Sequence, residues 1–145
     1  MLNELVGLIN FRRGIEGSPS LSPHPVLQIL ATAEAQILAA DDPHAEYLKP
    51  AHETKYNVSC RLPGNYVREY RISVNQPLTL DLLAQPRVCQ QVLAIALNQK
   101  IGPAEIFGVN TTGQPDFQPY TYIGAAFENR PNLGGSVVVI TLAKD

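Results

Sequence analysis

The chain has 145 residues, a formal net charge of −2, and 17% charged against 45% hydrophobic residues. That is enough for a single domain over residues 1–145 that buries roughly 68–70% of its unfolded surface. Charge is sparse against a usual share of about 25%, and the densest basic run is the pair Arg12-Arg13, so a nucleic-acid or membrane-surface role driven by counterion release is not expected.

The chain opens with Leu2, Leu5, Val6 and Ile9 at helical spacing, which predicts a short N-terminal helix closed by Gly14. The same segment lacks a basic start and a small-residue cleavage site, so no secretory leader is expected and the expected location is cytoplasmic. Residues 14–23 (GIEGSPSLSP) form a predicted loop. A second helix should follow, with Ser22 as N-cap, Pro23 and Pro25 in the first turn, and a face of Val26, Ile29, Leu30, Ala33 and Ile37. It should stop near Asp41-Asp42-Pro43 and lead into a polar connection over 41–53.

From Thr54 to Val74 the pattern is that of a β-hairpin. Tyr56, Val58, Cys60 and Leu62 alternate with polar residues, and after Pro63-Gly64-Asn65 the apolar parity resumes at Tyr66, Tyr70, Ile72 and Val74. A three-residue turn sets Val58 against Tyr70, whereas a one-residue slip would turn every side chain to the wrong face. Leu78–Leu83 is either a strand end or one helical turn capped by Thr79. Pro86 then starts a third helix over 86–100, with a face of Val88, Cys89, Val92, Leu93, Ile95 and Ala96 and a stop at Gly102-Pro103. The remainder is expected to be β: strands at Ile106–Val109 and Tyr120–Phe127, then Ser136–Ala143, apolar on both faces and so central in its sheet. The whole predicts an α+β fold: an antiparallel or mixed sheet, built from the hairpin and the C-terminal strands, packed against two main helices.

Chemistry-bearing motifs are few. The stretch 41–53 (DDPHAEYLKPAHE) offers His44, His52 and several carboxylates to a divalent ion, but in no recognised ligand spacing; neither a metal nor a cofactor is expected. Cys60 sits mid-strand without a helix N-terminus to activate it. Gly134-Gly135 precedes a strand and is followed by no Lys-Ser/Thr, so it is not a phosphate loop. Cys60 and Cys89 read as buried small hydrophobes, and a bridge between them requires Cα atoms within about 7 Å.

Other features point to association with protein. Arg68 stands on the apolar parity of the hairpin, where a guanidinium needs a partner, either from its own domain or across an interface. Lys55, Arg61 and Arg71 surround Glu69 on the opposite parity, as on a solvated sheet face. The C-terminal third is poor in charge and carries Phe117, Tyr120, Tyr122 and Arg130, with Phe117 in a Pro-containing loop suited to docking on a neighbour. The expectation is a non-catalytic structural or adaptor subunit of a homo-oligomer or hetero-assembly, its candidate interface being Arg68, Phe117, Tyr120, Tyr122 and Arg130. In length, charge and lack of motifs the chain is similar, in general terms only, to small subunits of phage virions and tail-like machines. The alternatives are a module binding a small molecule between sheet and helices, and a small metal-dependent hydrolase using the 41–53 cluster.

Overall fold

The computed structural model describes residues 2–40, 66–98, 106–107, 120–131 and 134–144, with backbone alone at 66–68, 97–98 and 144. Its elements are α1 (Asn3–Ile15), β1 (Ser22–Pro23), α2 (Pro25–Ala39), β2 (Tyr66–Val74), α3 (Leu80–Leu83), α4 (Pro86–Asn98), β3 (Tyr122–Asn129) and β4 (Ser136–Lys144). The sheet is mixed, in the order β1-β3-β4-β2, with β4 antiparallel to both neighbours and β1 parallel to β3. The α+β expectation holds. No helix among the described residues is long and apolar enough to cross a membrane.

Strand β4 explains the layering. Val138, Ile140 and Leu142 join one core with Tyr70, Ile72 and Val74 of β2, Ile123 and Ala125 of β3, and the inward faces of α1 and α4. Val137 and Val139 join a second core with Ala126 and with Ala31, Ala35 and Ala39 of α2. Helices therefore cover both faces of the sheet, which is why its central strand is apolar on both parities.

Helix α1 is longer than expected. It runs through Gly14 and ends in a Schellman motif: Gly17, at φ 81, donates to the Gly14 carbonyl and Ser18 donates to that of Arg13. At 13 residues it equals α4 in length, and Leu5 and Ile9 are fully buried. It is a full member of the core.

Helix α2 starts two residues later than expected. Ser22 and Pro23 are used as β1, and the N-cap is His24, whose Nδ1 accepts from the Val26 N–H at 3.1 Å. Its core stripe also differs. Leu27, Ala31, Ala35 and Ala39 are buried, as are Ala33 and Ile37, while Val26, Ile29 and Leu30 are only half-buried. The small stripe wins because α2 lies very close to the sheet. A Cβ added to Gly124 would overlap the Leu27 carbonyl and the Gln28 nitrogen, so bulky side chains have no room along that line.

The amide of Gln28 exploits this closeness. Its Nε2 donates to the Ala125 carbonyl at 2.8 Å, and its Oε1 accepts from the Ala125 N–H at 3.2 Å. Gln28→Ala should cost about 2 kcal/mol in a denaturant melt, because Ala125 is fully buried and would leave two backbone groups unpaired. A change below about 0.5 kcal/mol would mean that water replaces the amide.

The predicted turn at 78–83 is helical, as α3, with Thr79 Oγ1 accepting from the Leu82 N–H. Ile106 and Phe107, expected in a strand, take a helical turn and are buried; the rest of that predicted strand lies outside the described residues. The second hairpin arm is β2, with Tyr70, Ile72 and Val74 inward as expected. The first arm, its turn and the 41–53 connection lie outside the described residues.

Candidate functional site

The five residues expected to form an interface fall at different places. Arg68 of β2 pairs in register with Leu142 of β4, which Ile123 of β3 faces from the other side; the Arg68 side chain lies outside the described residues, as does Phe117. Tyr120 is buried in the main core and its carbonyl accepts from Arg13. Tyr122 is half-buried, its ring edge-on to His24 at 5.3 Å and 74°. Arg130 follows the far end of β3, where its N–H donates to the Gly135 carbonyl and its Nε is buried without a hydrogen bond. Eight residues of strand, about 26 Å, separate Tyr122 from Arg130. The structure brings Tyr120, Tyr122 and the Arg68 backbone to one end of the sheet and leaves Arg130 at the other.

The polar face of β2 is organised by Arg71. Its Nη2 lies 2.6 Å from the Glu34 carboxylate of α2 and its Nε 3.2 Å from Glu69. Glu34 is buried, whereas Arg71 and Ser73 are exposed. On the face expected to be solvated Arg71 is exposed and Glu69 half-buried, with one buried acid held by a charge-assisted bond at its margin. Lys55 and Arg61 lie outside the described residues.

Arg13 is the residue that sequence reasoning missed. It is fully buried, and its guanidinium donates to three carbonyls: Nε to Pro19 at 2.7 Å, Nη1 to Ile106 at 2.8 Å and Nη2 to Tyr120 at 3.0 Å. One side chain thus ties α1 to three separate pieces of backbone. The available signal was its position, four residues after Ile9 on the apolar stripe of α1.

Cys89 is buried and its thiol donates to the Leu83 carbonyl at 3.2 Å. Burial, and secondarily the nearby Glu4 carboxylate, push its pKa above the ordinary thiol value, which disfavours the reactive thiolate. Cys60 lies outside the described residues. Among the described residues no group of three His, Cys, Asp or Glu side chains could hold a metal.

What stands out is the outer side of α1. Among the described residues the large apolar side chains most exposed to solvent are Phe11 at 69%, Leu80 at 67% and Ile15 at 65%. Phe11 and Ile15 flank an open groove of about 350 Å³ between α1 and α4, floored by Leu8, Leu93, Ala94 and Phe107. Arg12 closes its rim, with its guanidinium 5.4 Å from the Phe107 ring centre and its Nε 3.3 Å from Glu16. A second groove of about 430 Å³ lies between the end of β2 and α4, its polar lining being the amides of Asn75, Gln76 and Gln91. The first groove is thus apolar with an arginine at its edge, and the second apolar with amides. Compared with known proteins, the chain matches no family model, no curated protein and no solved structure.

Proposed function

We propose that this protein works by association, as a non-catalytic structural or adaptor subunit of a larger protein assembly. The observation that carries this reading is the apolar outer side of α1, where Phe11 and Ile15 stand in solvent beside the α1–α4 groove. Side chains of that size at that exposure gain most when a second surface removes them from water, each by about 2 kcal/mol. Arginine at the rim and aromatic rings at the centre suit such a contact.

Absolute mass by light scattering after size exclusion, over a hundredfold range of concentration, tests it. A discrete oligomer or a mass that grows with concentration is expected. A particle of 15.8 kDa at every concentration would remove self-association. The groove between β2 and α4 would then favour the second reading, a module that binds a small apolar molecule with amide-directed polar contacts, since its size suits a small ligand.

A further inference from the structure

We infer that α1 pairs with α1 of a second copy of this chain, antiparallel and about a two-fold axis; this rests on the association reading above and names its partner. At 100° per residue, Leu2, Leu5, Val6, Ile9 and Arg13 fall on the buried side of α1. Glu4, Gly7, Phe11, Gly14 and Ile15 are exposed on the opposite side. A surface helix ordinarily carries charge there. Here the middle of the outer side is apolar or bare.

Nothing among the described residues explains the two glycines. A Cβ on Gly7 or Gly14 would meet none of them within 4 Å, and glycine is a weaker helix former than alanine. They stand four residues before and three after Phe11, leaving a notch on each side of its ring. An identical helix crossing antiparallel sets each Phe11 over Gly7 of the other copy, beside Leu8 at the mouth of the groove. That contact is the same in both directions, which is what a two-fold interface requires.

Charge selects the direction. Glu4 lies in the first turn of α1 and Arg12 in the last. With Phe11 opposite Gly7, Glu4 lies opposite position 14 of the other copy, about 3 Å along the axis from Arg12, which is itself turned about 100° from Phe11 toward the groove. Long side chains close that gap, and an Arg already beside Glu16 keeps further N–H donors for a second carboxylate. A parallel pair would set Glu4 near Glu4 and Arg12 near Arg12. The antiparallel pair also opposes the two helix dipoles favourably.

Sedimentation equilibrium of the full chain, with a thermal melt of each variant, tests the pairing. Gly7→Leu should weaken the dimer about thirty-fold or more, with no loss of melting temperature at concentrations where the protein is monomeric. Glu4→Arg and Arg12→Glu should each weaken it, and the two together should restore it. A wild-type oligomer indifferent to all of these would overturn the α1 pairing while leaving association intact. Charge reversals that fail to rescue one another would overturn it as well, as would a monomeric wild type that uses α1 to bind a different chain. A wild type that remains monomeric throughout, with no partner, would overturn the pairing and the association reading together.

Discussion

Replacing Arg13 by methionine is expected to lower the melting temperature by roughly 10 °C, the largest loss from any single side chain described above. The reason is the set of carbonyls it serves. Those of Pro19, Ile106 and Tyr120 each accept from a different guanidinium nitrogen, and the guanidinium itself is fully buried. Methionine fills much of the volume but offers no donor. Hydrogen bonds to a charged group contribute about 1.5–3 kcal/mol each, and some of this is offset because a desolvated cation is also removed. A net loss of about 4 kcal/mol remains. Arg13→Lys should fall between wild type and Arg13→Met, because an ammonium keeps the charge without the fixed fork. Removing residues 1–13 should do more than either, since Leu5 and Ile9 leave the core as well. A methionine variant within about 1 kcal/mol of wild type would show that the three carbonyls find other donors.

Gly124→Ala should be nearly as damaging, by about 3 kcal/mol in a denaturant melt, for a steric reason. The added methyl would occupy the place of the Leu27 carbonyl and the Gln28 nitrogen. Those are backbone atoms inside a helix, and no rotamer change relieves the overlap. Helix α2 has to rise from the sheet, which opens the seam of Ala31, Ala35 and Ala39 on Ala126, Val137 and Val139 and strains the two bonds from Gln28 to Ala125. Retention of wild-type stability would mean that α2 sits less tightly than the geometry implies.

What was legible in the chain, and what was not, divides by the range of the interaction. The apolar run of β4 announced a central strand, and Pro86 announced α4, because these signals lie within one element. The inward parity of Tyr70, Ile72 and Val74 was equally plain. Ile106 and Phe107 look like a strand locally but form a helical turn whose Ile106 carbonyl is held by Arg13, 93 residues away in sequence. Gly124 carried no signal of its own along the chain, and its close approach to Leu27 is visible only in the fold.

Three Asn and Gln side chains act within the fold as substitute backbone, a use that no local pattern announces. Asn10 bonds both the N–H and the carbonyl of Leu21, Gln28 those of Ala125, and Asn129 those of Leu78. Of the five residues expected at an interface, Tyr120 is in the core. The exposed apolar pair on α1 went unnoticed because the helical stripe drew attention to its inward side.

The outer side of β3 has a consequence for how copies of this protein can meet. A free strand is a template on which another molecule can add its own. Here the carbonyls of Thr121 and Ile123 are taken by the N–H groups of Ser22 and His24, and both polar groups of Ala125 by Gln28. Pro23 follows directly in β1 and has no N–H of its own to offer outward. Over residues 121–125 the sheet is therefore closed to extension. A filament cannot grow by strand addition there, and a neighbour approaching from that side has to be held by side chains.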